Sequence, residues 1–214
     1  MISSPSGGGK STIARHLLDA REDVTYSVSA TTRQRREGEE DGREYHFLER
    51  REFQQRVAAG AFVEWAEYAG NLYGTLREEV EKGLRSGRHV VLDIEVNGAR
   101  QVRDRFPDSV QVFVLPPSAA VLVQRLRARS TEDRADLERR LDIAVQELLA
   151  ADAYDYVVVN DDVVEAVAHV AAILDGEARR VSRLKNLGTV IEHLRRDLAG
   201  QQERLRGAGA PGKE

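Results

Sequence analysis

The chain has 214 residues, of which 41% are hydrophobic, so it is long enough for one domain with a sizeable core and inserted subdomains. It contains no cysteine, which excludes disulfides, thiolate zinc sites and cysteine nucleophiles. The net charge of −4 does not indicate affinity for nucleic acid, and no apolar run approaches the roughly 20 residues of a membrane span. No signal peptide is visible, so we expect a cytoplasmic protein with neither nucleic-acid nor membrane partners.

Strand and helix patterns alternate along most of the chain. Short runs rich in β-branched residues at 24–29, 90–94, 110–115 and 156–160 are bounded by turn residues, which is typical of buried strands. Apolar stripes with helical spacing lie between them, such as the one formed by Leu137, Leu141, Ala144 and Leu148. Together with a strand at the N-terminus, the alternation predicts an α/β fold with a five-stranded parallel sheet that helices cover on both faces.

The N-terminal strand is unusually short. Only Met1, Ile2 and Ser3 precede a glycine-rich segment, whereas a typical strand has five or six residues. We therefore expect that Met1 is not the natural start of the protein, or that this strand is shortened.

Two segments interrupt the alternation. Residues 34–80 are rich in Gly, Glu, Arg and aromatic residues, and the alternating pattern at 62–68 predicts antiparallel pairing. We interpret this region as a small α+β insertion, because a loop of that length would be unusual in a compact domain. Residues 127–135 are mostly polar and charged and lie between two predicted helices, so we expect a lid there.

The C-terminal region has its own pattern. Residues 184–206 contain a thin apolar seam, which predicts a helical extension that packs on the body or pairs with a second copy. The seam consists of Ile191, Leu194, Leu198 and Leu205. Residues 207–214 include three Gly and one Pro, and we expect a disordered tail.

A phosphate-binding loop is the first motif that carries chemistry. Its glycines let backbone N–H groups turn toward phosphate oxygens, and the helix that starts near Lys10 directs its positive end at the same oxygens. Lys10 can reach the β and γ phosphates, and the Ser11 hydroxyl can ligate the Mg²⁺ that accompanies ATP. The usual pattern begins with glycine, where this chain has Ser4. The candidate triphosphate-binding residues are Ser6, Gly7, Gly8, Gly9, Lys10, Ser11 and Thr12.

An arginine-rich stretch follows at 29–45. Arg33 and Arg36 are three residues apart, so both guanidinium groups could face one phosphate. Such runs are often solvated loops, but the upstream phosphate loop and the downstream Tyr45 and Tyr73 favour a second phosphate site. Two phosphate sites that face each other are what a small-molecule phosphotransferase needs.

Several motifs, in this order, resemble those of the guanylate kinase family over about residues 2–180. They are S-x-S-x-T-T-R-x-x-R-x-G-E from 27, E-W-A from 64, G-N-x-Y-G-T from 70, L-D-I from 92, P-P-S from 116 and Y-D-Y-V-V-V-N-D-D from 154. The resemblance implies the fold of P-loop nucleoside monophosphate kinases, with 34–80 as the GMP-binding insertion. It also implies transfer of the γ-phosphoryl group of ATP to GMP.

The resemblance implies a guanine-reading site. In it, Glu64 accepts hydrogen bonds from guanine N1–H and the 2-amino group, while the hydroxyls of Ser29 and Thr75 reach guanine O6. Adenine would bring an unpaired N1 lone pair against the carboxylate, and a buried mismatch of that kind is costly. The residues that would contact GMP are Ser29, Arg33, Arg36, Glu39, Tyr45, Glu64, Tyr73, Thr75, Asp93 and Glu95.

The resemblance also implies catalytic residues, namely Lys10, Asp93, Arg129 and Arg140. The two arginines would neutralise the transferring phosphoryl group, and Asp93 would orient Mg²⁺-bound water or the acceptor nucleotide. Asn160 matches a residue near the adenine of ATP. The chain departs from the family pattern at Glu95, Asn97 and Ser130.

The sequence therefore predicts a guanylate kinase with ATP and GMP as substrates and with Mg²⁺ bound together with ATP, as a monomer or homodimer. Two alternatives stay open. One is a non-catalytic guanylate-kinase-like module that binds a phosphorylated ligand, which the retained Lys10 and Arg129 argue against. The other is a kinase of another phosphorylated acceptor such as a ribose phosphate, which Glu64 argues against.

Overall fold

The computed structural model describes residues 1–68, 70–128 and 134–208. The chain divides into two compact units, Met1–Ala171 and Ala172–Glu214. The division falls within a helix, before the domain end that the sequence predicts at 183. None of the described helices is long and apolar enough to cross a membrane.

The secondary structure of the described residues alternates as the sequence predicts. The strands are β1 (Ile2–Ser3), β2 (Val24–Tyr26), β3 (Ser29–Thr31), β4 (His46–Phe47), β5 (Phe62–Tyr68), β6 (Asn71–Leu76), β7 (His89–Val91), β8 (Val112–Leu115) and β9 (Tyr156–Val159). The helices are α1 (Lys10–Ala20), α2 (Arg50–Ala58), α3 (Arg77–Arg85), α4 (Val96–Arg105), α5 (Ala119–Ala128), α6 (Arg134–Leu148), α7 (Val163–Ala178) and α8 (Leu187–Ala208).

Two parallel sheets form the centre of the first unit. One has the strand order β1-β8-β9 and the other pairs β2 with β7. An isolated parallel bridge between Ile2 and Asp93 connects them, and the Ile2 amide donates to the Leu92 carbonyl oxygen at 2.9 Å. The predicted α/β class with parallel strands is confirmed. Because β1 and β7 are parallel, the phosphate loop after β1 and Asp93 after β7 lie at the same edge.

The predicted single strand over 24–29 is wrong. β2 ends at Tyr26, and the Ser27 amide makes the last bond to β7, donating to the Val91 carbonyl oxygen at 3.3 Å. Ser29 then begins β3, which pairs antiparallel with β6 in a different sheet. The backbone therefore changes partner within this run, and apolar periodicity alone does not report such a change.

The third sheet has the order β4-β3-β6-β5, with antiparallel pairing except between β3 and β4. The predicted antiparallel pairing of 62–68 is confirmed, since β5 pairs with β6 along its length. Phe53 of α2 stacks on Phe62 of β5 with ring centroids 4.3 Å apart, and both side chains are fully buried. This contact fixes α2 against one face of the sheet, because large apolar side chains dominate such packing.

Helix α4 packs against both the parallel and the antiparallel strands. Its Ala99 and Val102 belong to one buried cluster with Val63 of β5 and with Leu92 and Ile94 beside β7. The same cluster therefore fixes the distance between the strand that carries Glu64 and the strand that leads to Asp93. Both belong to the candidate site.

Helices α5 and α6 pack on each other. Leu122 and Leu126 of α5 contact Ala144 of α6, and Leu137 and Leu141 flank them, as the predicted apolar stripe requires. Residues 129–133 between the two helices, including Arg129, lie outside the described residues, and so does most of the predicted lid.

The second unit begins in α7 and continues through a short 3₁₀ turn at Val181–Arg183 into α8. At the turn, Glu177 forms ion pairs with Arg180 and Arg183, the latter at 3.0 Å. Residues 207 and 208 belong to α8, so the prediction of a disordered tail is wrong for them, and 209–214 lie outside the described residues.

Candidate active site

The phosphate loop has the backbone shape that its glycines predict. Gly7 and Gly9 have φ angles of 84° and 100°, which place both in the left-handed region that favours glycine. A Cβ atom at Gly9 would lie 2.1 Å from the Asn160 Nδ2 atom, so no larger residue fits there without displacing that side chain. The loop ends at Gly9, and α1 begins at Lys10.

Two side chains from elsewhere in the chain hold this loop. Asn160 is buried and its Nδ2 atom donates to the Gly8 carbonyl oxygen at 2.9 Å. Arg125 of α5 donates to the same oxygen at 3.3 Å and to the Asn160 carbonyl oxygen at 3.2 Å. The structure thus places Asn160 on the backbone of the loop, while its role near adenine stays a prediction.

Lys10 is paired with two carboxylates. Its Nζ atom lies 3.2 Å from Asp93 Oδ1 and 2.9 Å from Glu95 Oε1. Burial acts to lower the pKa of Lys10, but the charges of Asp93 and Glu95 and their hydrogen bonds outweigh it and raise the pKa above its usual value. Lys10 is therefore charged, and in the free protein it is held by the two acids at the sheet edge.

The predicted guanine-reading residues form one row across the antiparallel sheet. Ser29 of β3 lies opposite Thr75 of β6, and Thr75 lies opposite Glu64 of β5. Directly opposed residues of antiparallel strands point to the same face, so the three side chains are neighbours. The Thr75 hydroxyl donates to Glu64 Oε1 at 2.6 Å.

Glu64 is 6% exposed, and burial raises the pKa of its carboxyl group above the usual value, while the hydrogen bonds from Thr75 lower it. A Cβ atom at Gly98 of α4 would lie 2.7 Å from Glu64 Oε2. The close approach of α4 to this carboxylate therefore depends on glycine at that position.

The predicted monophosphate ligands form a second cluster beside this row. The rings of Tyr45 and Tyr73 meet edge to face with centroids 6.0 Å apart, and the Arg33 guanidinium lies 5.5 Å from the Tyr45 centroid. Arg33 Nη2 donates to Glu39 Oε1 at 2.7 Å, and this hydrogen bond raises the pKa of Arg33 further. Glu39 Oε2 also accepts from the Arg36 amide at 2.8 Å, while the Arg36 side chain is exposed.

The remaining predicted residues are only partly brought to this site. Ser11 and Thr12 are exposed in the first turn of α1. Arg140 Nη1 donates to the Leu126 carbonyl oxygen of α5 at 3.4 Å, and Arg129 lies outside the described residues. The roles of both arginines in phosphoryl transfer stay predictions.

Three residues near the site were not selected from the sequence as site residues. Arg125 holds the phosphate loop, and Glu147 Oε2 of α6 accepts from the Ser6 amide at 2.9 Å. Tyr26 is mostly buried, and burial followed by the nearby Asp93 charge raises the pKa of its hydroxyl. The sequence offers only a weak signal for them, because none lies within a recognisable motif.

An α/β fold with a glycine-rich loop before a helix and a cluster of arginine and tyrosine side chains is typical of phosphotransferases. Comparison with known proteins identifies the family. The guanylate kinase family model matches residues 1–177. A guanylate kinase of Symbiobacterium thermophilum is 47% identical over 91% of this chain and 91% of its own length. One of Rubrobacter xylanophilus is 52% identical over 76% of this chain and 85% of its own length.

A solved structure agrees with the sequence comparisons. The crystal structure of guanylate kinase from Anaplasma phagocytophilum superposes with a TM-score of 0.73 at 34% identity, covering 90% of this chain and 92% of that one. The chain belongs to the guanylate kinase family, and the family predicted from its sequence motifs is confirmed.

Proposed function

We propose that the protein is an ATP-dependent guanylate kinase that converts ATP and GMP to ADP and GDP, with guanine read by the row Glu64, Thr75 and Ser29. The observation that carries this proposal is the buried hydrogen bond from Thr75 to Glu64, with Ser29 opposite Thr75. Guanine presents two adjacent N–H donors beside a carbonyl oxygen. A carboxylate flanked by hydroxyls is the complementary set.

The phosphate of GMP fits the neighbouring cluster. Arg33, Tyr45 and Tyr73 supply a guanidinium fork and two hydroxyls within one region of the sheet. The Glu39 carboxylate accepts from Arg33 Nη2 and from the Arg36 amide, so it lies where a phosphate with the same charge could bind. Arg36, whose side chain is exposed, can turn toward a bound phosphate from the same loop.

ATP fits the phosphate loop. The loop from Ser6 to Thr12 supplies backbone N–H groups, and Lys10 supplies the charge for the β and γ phosphates. Mg²⁺ is a hard cation that prefers oxygen ligands, and the exposed Ser11 hydroxyl at the start of α1 suits it together with phosphate oxygens. Bound there, Mg²⁺ would neutralise phosphate charge.

Phosphoryl transfer then requires little covalent chemistry from the chain. A GMP phosphate oxygen is already an anionic nucleophile, so no general base and no covalent intermediate are needed. Asp93 lies at the sheet edge between the two nucleotide sites, where it can orient the acceptor, while Lys10 and the arginines Arg129 and Arg140 stabilise the developing charge.

The finer architecture is also a proposal. The bridge between Ile2 and Asp93 supports a single five-stranded parallel sheet made of β2, β7, β1, β8 and β9. We assign 1–183 to the kinase domain, with 34–80 as the GMP-binding insertion, 127–135 as the lid and 184–206 as a helical extension. The cytoplasm is the proposed location, which the absence of cysteine supports.

For the oligomeric state, we propose a homodimer through α8. Its apolar residues are spaced by three, four and seven positions, and Ile191, Leu194, Leu198 and Leu205 are 47%, 57%, 63% and 74% exposed. Sizing should show a dimer that Leu194→Glu converts to monomer, and a monomeric parent protein would contradict the proposal.

The activity is tested by a coupled assay of ADP formation with GMP, AMP, CMP, UMP and ribose 5-phosphate in parallel. We expect turnover with GMP to exceed that with the other acceptors by orders of magnitude, on the scale of roughly 10⁴ for a site that hydrogen-bonds its substrate. Binding of GMP without ADP formation would favour the non-catalytic module. Preferred turnover of ribose 5-phosphate would favour the other kinase.

A further inference from the structure

Glu147, near the end of α6, joins the two ends of the phosphate loop. Its Oε2 atom accepts from the Ser6 amide at 2.9 Å, and its carboxyl group lines the same cavity as that of Glu95, which is near enough to raise the pKa of Glu147. Glu95 Oε1 in turn accepts from Lys10 Nζ at 2.9 Å. A continuous chain of contacts therefore runs from Ser6 through the two glutamates to Lys10.

We propose that Glu147 is a positioning residue for phosphoryl transfer, which fixes the phosphate loop through Ser6 and, through Glu95, sets where Lys10 waits for the triphosphate. The proposal rests on the proposed function, since it concerns the ATP side of the same site. Glu147 belongs to none of the motifs that predict substrate contacts.

The location of Glu147 on its helix supports this role. A carboxylate in the last turn of a helix lies near the negative end of the helix dipole, which is unfavourable for α6 itself. Ala144, one turn earlier on the same face, packs against Leu122 and Leu126 of α5, and Glu147 is half-buried. The stabilising partner of Glu147 is the loop amide, so its placement serves the loop at the expense of the helix.

Glu147 can gain or lose a proton near neutral pH. The pKa of Glu147 is raised to about 7, mainly by burial and also by Glu95, while the Ser6 amide and Lys10 act in the opposite direction. When protonated, Glu147 can donate its hydroxyl to Glu95 while its other oxygen still accepts from Ser6. The charged groups around Glu147 are Lys10, Asp93, Glu95, Arg100 and Asp142.

A cavity of about 610 Å³ between α4 and α6 opens beside this pair and is lined by Glu95, Arg100 and Glu147 among others. Protons can therefore exchange with solvent. When Lys10 binds the triphosphate, it no longer pairs with Glu95. Glu95 and Glu147 then lie beside the negatively charged phosphates. Binding then favours the proton-bound form of the pair, so the pKa of Glu147 rises on binding.

The sign of the pH dependence follows from this rise. A group whose pKa rises on binding takes up a proton near that pKa, and affinity falls as pH increases through it, by at most about tenfold per pH unit for one proton. In the wild-type protein, affinity for the triphosphate should therefore be higher at pH 6 than at pH 8.

The test is calorimetric titration of the full chain with the Mg²⁺ complex of a non-hydrolysable ATP analogue, in two buffers of different ionisation enthalpy at pH 7. The wild-type protein should take up part of a proton. Glu147→Gln keeps an acceptor for Ser6 and a donor for Glu95 but cannot titrate. It should take up less proton and bind several-fold more tightly than the wild type at pH 8.

Two further variants complete the design. Glu147→Ala leaves the Ser6 amide without its partner and should weaken binding at both pH values by about 5- to 100-fold. Asp142→Asn, on the same helix and the same cavity, should behave as the wild type. The KM for GMP should not change in any of them, whereas a merely destabilised fold would change both substrates.

Equal proton uptake by the wild type and Glu147→Gln would overturn the proposal, and so would wild-type affinity in a folded Glu147→Ala. If Glu147→Ala does not fold, the Gln variant alone decides. Failure of the proposed function looks different: the wild type would bind the analogue with the predicted proton uptake but would not phosphorylate GMP.

Discussion

The residues proposed to read guanine and those proposed to bind phosphate have different partners in the structure. The base-reading row is already assembled, because the Thr75 hydroxyl satisfies the buried Glu64 carboxylate without blocking both of its oxygens. The proposed phosphate ligands are instead paired with protein carboxylates, and Lys10 forms ion pairs with Asp93 and Glu95.

The same kind of pairing is found on the proposed GMP side, where Glu39 accepts a hydrogen bond from Arg33. A partly buried cation in a phosphate site needs an anionic partner, because an unpaired charge is costly, and a protein carboxylate is such a partner. A carboxylate that is to accept hydrogen bonds from N–H groups can be satisfied by a neutral hydroxyl donor. Substrate binding should therefore leave the base-reading row in place and replace the partners of the cations.

The largest expected effect comes from breaking the base-reading row. Glu64→Ala removes the acceptor of both guanine donors, so the preference for GMP over AMP should fall by roughly 10⁴ while binding of an ATP analogue is nearly unchanged. Glu67→Ala, an exposed position on the same strand, is the matched control. Unchanged selectivity in Glu64→Ala, measured by coupled assay with both acceptors, would show that guanine is read elsewhere.

The next largest effect should come from removing the Lys10 side chain. Lys10→Ala should lower turnover by roughly 10²–10³, the scale for one stabiliser of transition-state charge, with the fold retained. Lys82→Ala, exposed on α3, should have no effect. Circular dichroism and the coupled assay together check this, and normal turnover in a folded Lys10→Ala would remove the loop from the mechanism.

A smaller effect should follow from loosening the loop without touching its cation. Asn160→Ala removes the buried amide from the Gly8 carbonyl oxygen and leaves only the longer hydrogen bond from Arg125, at a cost of about 0.5–1.5 kcal/mol. Binding of the ATP analogue should weaken, while the KM for GMP should stay the same. Asp161→Ala, exposed and adjacent, is the control. An equal weakening of ATP-analogue binding and of GMP binding would indicate general unfolding. It would contradict the assignment of Asn160 to the phosphate loop.

The smallest effect concerns stability. Burial raises the pKa of Glu64, so the ionised carboxylate costs stability, and this cost grows as pH rises through the raised pKa. Glu64→Gln keeps an acceptor for Thr75 but no charge, so the free protein should melt at a higher temperature at pH 8 and show little change at pH 4. A lower melting temperature at pH 8 would mean that the row does not hold a strained charge.

Much of this arrangement was predictable because it is local. The phosphate loop is continuous with its helix, and Glu64 and Thr75 each lie in a short motif of the family. The pairing of Glu64 with Thr75 did not follow from the alternating pattern, because it depends on a register shift between Phe62 and Glu64. The end of β2 and the start of β3 within 27–29 were not predictable. Both strands belong to one apolar run, and they differ only in the strands with which they form hydrogen bonds.

The supports of the loop were not predictable either. Glu147 and Ser6 are separated by 141 residues, and Asn160 and Gly8 by 152. A single glutamate in a polar helix carries no periodic signal, and its partner is a backbone amide that every residue except proline has. Asn160 was selected only through a family motif, and its contact with Gly8 depends on how β9 ends beside the loop.

The most direct test of the account is a crystal structure of the protein with GMP and a non-hydrolysable ATP analogue bound together. We predict that Glu64 lies within about 2.7–3.2 Å of guanine N1 and of the 2-amino group while it keeps its hydrogen bond from Thr75. Lys10 Nζ should lie on the β and γ phosphates and no longer on Glu95. Guanine placed away from Glu64, or Lys10 still paired with Asp93 and Glu95, would contradict the account.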